Sequence, residues 1–184
     1  RGDVYKRQID VLTNIAGVSG RDPQQNIQAT LTAGGLLEDQ SLDAWNHIME
    51  VNATGTFLGT KSVLAPMRRA GGGSIVNISS IAAIRWTGVP YSSYYASKAA
   101  ILQLTKSTAV EFASKSVRVN AVLPGLMKTP MVERSESLAV AFGKGDVEAM
   151  WKQREAQVPL GHMGDAWDVA HAALFLASDE ARYI

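Results

Sequence analysis

Three short stretches of the chain are nearly unbroken in apolar or β-branched residues: Ile9-Asp10-Val11-Leu12-Thr13, Ser74-Ile75-Val76-Asn77-Ile78-Ser79 and Val117-Arg118-Val119-Asn120-Ala121-Val122-Leu123. Such runs read as strands buried on both faces, and the third stops at Pro124-Gly125, a strand-breaking pair. The segments between them carry a helical period. After a candidate cap at Ser41, Trp45, Ile48, Met49, Asn52, Phe57, Leu58, Val63 and Leu64 recur at three-to-four spacing until Gly71-Gly72-Gly73, which predicts one helix over about 42–69. A second helix is expected over about 92–114, with Ile101, Leu102, Leu104, Thr105, Val110 and Phe112 on its apolar side. A third runs from Asp165 to about Ala177, after the turn-rich Pro159–Gly164, and carries Val169, Ala172, Ala173 and Phe175. Strands alternating with helices at this spacing predict βαβ units and an α/β fold with a doubly wound, parallel, Rossmann-like sheet.

Three strands are few for such a sheet, which usually has six or more. The expectation is therefore a partial domain, lacking its first βαβαβ half and its last strand. Residues 1–8 read as a leader foreign to the domain and 9–184 as the C-terminal part of a single domain. Residues 127–158 mix Met127, Met131, Phe142, Met150 and Trp151 with many charges and fit no simple period; a stretch of that length is expected to be a lid over a site. The 184 residues are 46% apolar and 19% charged, enough to bury a core without staples. With 18 basic against 17 acidic side chains there is no polyelectrolyte signature, so no nucleic-acid partner is expected. No apolar run approaches the roughly 20 residues that span a bilayer, so the expectation is a cytoplasmic protein without a membrane partner. The absence of cysteine removes disulfides, thiolate catalysis and Cys-based metal sites.

Several side chains could carry chemistry. In Tyr94-Tyr95-Ala96-Ser97-Lys98, Tyr94 and Lys98 are four apart and share one helix face. An ammonium that close favours the phenolate and would lower the phenol's pKa toward useful acid–base work. A surface Tyr stacked on a Lys stem is the plainer alternative. Tyr91 and Tyr95 have no Lys four residues on. Ser79 and Ser80 end a strand, where ligands of doubly wound sheets sit, although a strand-end serine also caps its own turn. Asn14 follows the first strand, and Gly17 allows close backbone approach. Asn52 lies mid-helix and must find partners, either on a neighbouring strand or along a water path. His47 and His171 on helices and His162 in a turn lack metal-ligand spacing, so no metal is expected. Neither a G-x-S-x-G elbow nor a Walker loop occurs, which removes the common hydrolase and phosphotransferase readings.

The order and spacing of these segments resemble the short-chain dehydrogenase/reductase family across residues 9–184. Asn14-Ile15-Ala16-Gly17 is similar to that family's N-N-A-G segment, with Ile15 in place of the second Asn. Val51-Asn52-Ala53-Thr54-Gly55 resembles the segment with the helix Asn, Ile75–Ser80 the strand with the active-site Ser, best matched by Ser80, and Tyr94 with Lys98 the Y-x-x-x-K pair. Pro124-Gly125-Leu126-Met127-Lys128-Thr129 resembles the P-G segment whose Thr meets the nicotinamide carboxamide and diphosphate. The family's glycine-rich T-G-x-x-x-G-x-G turn has no counterpart here, and neither does the residue that selects between NAD and NADP.

The resemblance implies interconversion of a secondary alcohol and a ketone with NAD or NADP. It implies a catalytic set of Asn52, Ser80, Tyr94 and Lys98, with the Asn52 carbonyl holding a water. It implies cofactor contacts from Asn14, Ala16, Gly17, Tyr94, Lys98, Pro124, Gly125, Met127 and Thr129. Substrate choice is expected from 127–158 together with Arg85, Trp86, Val89, Pro90 and Tyr91, whose apolar character favours a hydrophobic or cyclic alcohol. The apolar stripes of the 42–69 and 92–114 helices, with Ala99, Ala100, Thr108 and Ala109 for close packing, predict a homo-oligomer, a dimer or tetramer. A catalytically silent dinucleotide-binding relative is the competing reading, and a sugar-nucleotide epimerase would need a larger C-terminal domain. Without the glycine-rich turn, the 184 residues alone are expected to bind dinucleotide weakly and to be inactive.

Overall fold

The computed structural model describes residues 8–19, 36–133 and 135–184; the leader expected over residues 1–8 lies, but for Gln8, outside them. Strands β1 (Val11–Asn14), β2 (Gly73–Ile78) and β3 (Val117–Val122) alternate with helices α1 (Leu42–Met49), α2 (Gly55–Ala70) and α3 (Ser92–Phe112). Four more helices follow: α4 (Pro130–Glu133), α5 (Glu136–Gly143), α6 (Val147–Glu155) and α7 (Ala166–Ala177). Among the described residues no helix is long and apolar enough to cross a membrane.

The sheet has the order β1-β2-β3 with every pairing parallel. In register, Leu12 lies beside Ile75 and Ile75 beside Val119; two residues on, Asn14 lies beside Asn77 and Asn77 beside Ala121. Alternation along a strand puts these rows on one face. Val63 and Met67 of α2 pack on the Leu12–Ile75–Val119 row together with Val117 of β3 and, more peripherally, Ala109 and Phe112 of α3. The opposite face belongs to α7. There Ser74 Oγ donates to Leu176 O at 3.0 Å, and Arg118 donates to Leu176 O at 2.8 Å and to Ser178 O at 3.1 Å. Helices on both faces make the fold the expected α/β, doubly wound, Rossmann-like architecture.

Local sequence explains the element ends. Ser41 Oγ accepts from the Ala44 amide at 3.1 Å, and Asp165 closes a capping box with Asp168 at the start of α7. Gly71 ends α2 at φ 94°, a left-handed conformation that costs glycine nothing.

The structure refines three expectations. The helix expected over 42–69 runs through, but Glu50–Thr54 forms a wide π-helical turn in it, in which the Gly55 amide bonds Glu50 O. The segment 127–158 folds mainly as the short helices α4, α5 and α6. Helices this short, separated by turns, leave no long period in the sequence. Finally, β1 is not buried on both faces: Leu12 and Asn14 are half-buried, whereas Val11 is 45% exposed and Ile9 lies outside the strand.

On the α2 and α3 side, the hydrophobic row gives way to a buried polar chain. Asn14 Nδ2 donates to Asn77 Oδ1 at 2.8 Å and to Thr60 Oγ1 on α2 at 3.2 Å, while Asn77 Nδ2 donates to Thr105 Oγ1 on α3 at 2.9 Å. Thr105 Oγ1 in turn donates to Ile101 O at 2.8 Å. Asn77 has no solvent exposure, and its amide joins β1 to α3, with α2 reached through Asn14, where unsatisfied groups would be costly. Asn77→Ala is therefore expected to destabilise the protein by about 2 kcal/mol or more through the lost bonds and the resulting cavity. Denaturant midpoints check this; a change of under about 0.5 kcal/mol, the size of an ordinary surface effect, would show that the chain carries no weight.

Candidate active site

The C-terminal ends of the strands converge on one cleft of about 450 Å³. β2 delivers Ser79 and Ser80, and the two hydroxyls do different work. Ser79 is buried and donates to the Lys98 carbonyl at 2.8 Å, locking the strand end to α3. Ser80 Oγ accepts from the Ala82 amide at 3.1 Å, and its hydroxyl stands near enough to the Tyr94 phenol to favour the phenolate. With the amide engaging a lone pair, the Ser80 proton is left for an oxygen in the cleft.

Tyr94 and Lys98 do leave α3 on one face, with Lys98 Nζ 5.7 Å from the Tyr94 ring centroid. Their electrostatics differ from the sequence expectation. Burial holds the Tyr94 phenol above its ordinary value; the Ser80 hydroxyl pulls the other way without overcoming it. Burial also pulls Lys98 down to about 8. The ammonium is itself desolvated and 4% exposed, and its one described hydrogen bond, to Ile78 O at 3.0 Å, is to a neutral carbonyl. Desolvation therefore outweighs the mutual help that the i, i+4 spacing suggests.

Gly17, Pro124, Gly125, Met127 and Thr129 line the same cleft as Ser80, Tyr94 and Lys98. A Cβ on Gly17 would stand 3.4 Å from Lys98 Nζ and 3.4 Å from Asn52 Oδ1, so the backbone here already touches the site. The Met127 segment is pinned to the turn before α7: Met127 bridges to Gly164, and the Lys128 amide donates to Gly164 O at 2.7 Å. Asn52 lies behind this floor, fully buried. Its Oδ1 accepts from the Val18 amide at 2.8 Å, and its Nδ2 donates to Val18 O at 2.9 Å and to Ser97 Oγ at 3.0 Å. The protein partners seen are not on a strand: the amide acts as a peptide group, fastening the loop after β1 to α3. The Asn52 carbonyl accepts the Thr56 hydroxyl at 2.7 Å.

Asn14 and Ala16 do not reach the cleft. They border a neighbouring hollow beside Thr13 and Val51, and the Asn14 side chain is spent on Asn77 and Thr60. Of the residues before Tyr94, Val89 and Tyr91 line a second, smaller cavity that Ser80 and Tyr94 share, whereas Arg85 and Trp86 are exposed. Trp86 stacks on Tyr95 with centroids 5.4 Å apart. The Tyr95 hydroxyl accepts from the Thr87 amide at 3.0 Å and donates to Val89 O at 2.8 Å, holding the loop in place. Sequence reasoning missed Asn77 and Arg154. The signal for Arg154 was its position four residues after Met150, on the same buried face of α6.

A parallel sheet that gathers a serine, a tyrosine and a lysine over a glycine-floored cleft defines a Rossmann-type domain with its polar groups at the strand ends. The sequence model described as enoyl-(acyl carrier protein) reductase matches residues 3–184. The chain is 39% identical over 170 residues to 2,5-dichloro-2,5-cyclohexadiene-1,4-diol dehydrogenase LinX of Sphingobium indicum, covering 92% of this chain and 63% of that protein. A crystal structure of a short-chain dehydrogenase/reductase from Burkholderia xenovorans superposes with a TM-score of 0.82 at 42% identity, covering 96% of this chain and 61% of that one. NAD+-bound xylitol dehydrogenase superposes with a TM-score of 0.82 at 29% identity, covering 96% and 65%. The chain belongs to the short-chain dehydrogenase/reductase family. It spans less than two thirds of the length of each of these three relatives.

The Lys98 environment has a pH signature. A lysine whose folded pKa lies below its solution value of 10.5 binds its proton less well folded than unfolded. The resulting penalty is complete below about 8 and fades as pH rises from about 8 to 10.5. Against Lys98→Met, which has no proton to bind, the parent should thus gain stability across that window. Paired unfolding curves at both ends of it provide the check, and a difference that does not vary with pH would refute the buried, unpaired ammonium.

Proposed function

We propose that the protein interconverts a secondary alcohol and a ketone with NAD or NADP, using Tyr94 as general acid and base. The observation that carries this reading is that Ser80, Tyr94 and Lys98 line one cleft at the C-terminal edge of a parallel sheet, with Lys98 Nζ 5.7 Å from the Tyr94 ring. The cleft suits a nicotinamide ribose: Gly17 and Gly125 present no side chain, Lys98 and Thr129 offer donors, and Ile15, Val169, Ala170 and Ala173 form an apolar wall. These residues, together with Pro124 and Met127, would hold a nicotinamide dinucleotide, which would supply or accept the hydride.

The chain's own groups then handle the proton. In reduction Tyr94 gives its phenolic proton to the ketone oxygen, and Ser80 donates a hydrogen bond that steadies the developing alkoxide. The raised pKa of Tyr94 keeps it protonated and ready to act as an acid at neutral pH. Lys98, cationic below about 8, stabilises the phenolate left behind. Asn52 acts by position, its amide holding the Gly17–Val18 floor under Lys98, and its carbonyl has capacity to hold a water that returns the proton. The helices of 127–158 cover the cleft as the substrate-facing wall. A cytoplasmic setting, with a small-molecule substrate as partner, completes the reading.

Tyr94→Phe is expected to lower turnover by at least about 100-fold while dinucleotide binding, followed by titration calorimetry, stays within a few-fold. Tyr91→Phe retains the proton donor, and Tyr95→Phe costs stability through the Thr87 and Val89 bonds more than it costs chemistry. Parent-like turnover in Tyr94→Phe would dismiss the assignment.

The outer faces of α2 and α3 leave Phe57, Leu58 and Val110 exposed, Val110 at 82%, and we propose that they form an isologous dimer contact within a tetramer. Light scattering at micromolar concentration should find a dimer or tetramer. Val110→Glu, which would set two carboxylates against each other near the two-fold axis, should shift it to smaller species. A monomeric parent contradicts the contact.

A further inference from the structure

Arg154 follows Met150 by four residues on α6 and is 6% exposed. A guanidinium is almost never so buried without compensation, because an unpaired charge in a low dielectric is expensive. Arg154 lies 5.5 Å from the Phe142 ring centroid, and its buried Nε has no hydrogen-bond partner among the described residues. The Tyr91 phenol is the neighbouring group that acts on its charge, and no described carboxylate does so. Burial lowers its pKa, yet a guanidinium so displaced is still cationic at neutral pH. The side chain lines the smaller cavity, about 120 Å³, whose wall also includes Ser80 and Tyr94.

We propose that Arg154 binds a carboxylate on the substrate, so that the enzyme acts on small hydroxy acids and their oxo acids. This rests on the dehydrogenase reading and adds a substrate class to it. Ser80 and Tyr94 hold the reacting oxygen at one end of the cavity while the planar Arg154 fork takes the two carboxylate oxygens from another side. A single compensating charge and a cavity of this size suit a compact monoanion better than a phosphate dianion. Val89, Leu126 and Leu138 leave apolar wall for a short hydrocarbon link between the two groups. The expectation of a hydrophobic or cyclic alcohol, drawn from 127–158 and the residues before Tyr94, is here given a second feature, a charge at the end of an apolar link.

The test uses the full-length enzyme and follows the loss of reduced dinucleotide. Each turnover consumes one ketone, one reduced dinucleotide and one proton and yields one secondary alcohol and one oxidised dinucleotide. The probes are 2-, 3- and 4-oxo acids of short chain length, their methyl esters, and the corresponding methyl ketone sulfonates and phosphates. At least one oxo acid should exceed its ester by roughly 100-fold in kcat/KM, because the ester leaves the guanidinium unpaired. Arg154→Met should erase that preference, mostly through KM, while changing the ester's kcat/KM by less than about 3-fold. Arg154→Lys, which keeps a charge but loses the fork, should fall between them. As a readout independent of turnover, propanoate should raise the Tm of the parent and not that of Arg154→Met. Equal losses for acid and ester in Arg154→Met would make the residue a wall support and overturn the proposal. So would a parent that prefers esters, sulfonates or phosphates over carboxylates. Reduction of neutral ketones alone sinks this inference and leaves the dehydrogenase reading intact, whereas no reduction of any ketone sinks both.

Discussion

The docking of α3 against the end of β2 governs the arrangement of the site. Three bonds fix it within a few residues: Asn77 to Thr105, Ser79 to the Lys98 carbonyl, and Lys98 Nζ to the Ile78 carbonyl. The first sets how far along its axis the helix sits, and the other two pin it where Tyr94 and Lys98 emerge. Ser80 comes from the end of the strand and Tyr94 from the helix, so the two meet in one cleft only if this joint is correct. The hydrophobic contacts of Ile75, Val117 and Val119 supply the driving force for burial, but apolar surfaces tolerate sliding in a way that buried amide and hydroxyl partners do not.

The same joint explains the electrostatics. Packing α3 tightly enough to form those bonds removes water from Lys98 and Tyr94 together, and each then loses more from desolvation than it gains from its neighbour. Spacing in a sequence reports that two groups can meet. It does not report the dielectric in which they meet, and here that decides the direction in which Tyr94 shifts.

Much of the fold is legible in the chain. The β-branched runs, the Ser41 cap, the glycine stop after α2 and the Asp165 start of α7 all act locally, and each element lies within a few residues of its expected place. The cluster of Ser80, Tyr94 and Lys98 follows from strand-end position and helix periodicity, and Gly125 and Thr129 from the break after β3. The remainder depends on contacts far apart in the chain. Asn14 has the same composition signal as a ligand-facing residue, but Asn77, sixty-three positions away, claims its side chain. Strand-end position alone treats Ser79 and Ser80 alike, and the resemblance singles out Ser80; the Lys98 carbonyl engages Ser79. Arg154 reads as one charge among many in a segment without a long period, and only the packing of α5 against α6 buries it.

The wide turn at Glu50–Thr54 has an implication for register. The buried positions Ile48, Asn52, Thr56, Thr60, Val63 and Met67 form one stripe, yet its ends are nineteen residues apart. Five α-helical turns take up about eighteen. The π-helical turn absorbs the extra residue, as a one-residue insertion into an otherwise continuous helix would. Excising one residue there would heal the helix and leave Ile48 and Met67 in phase, so the sheet packing gives no reason to keep it. Whatever retains that residue must act at the turn itself. The group with most to lose from a regular helix is Asn52, whose side-chain amide reaches out of the turn to Val18 and Ser97 while its carbonyl accepts the hydroxyl of Thr56 four residues on.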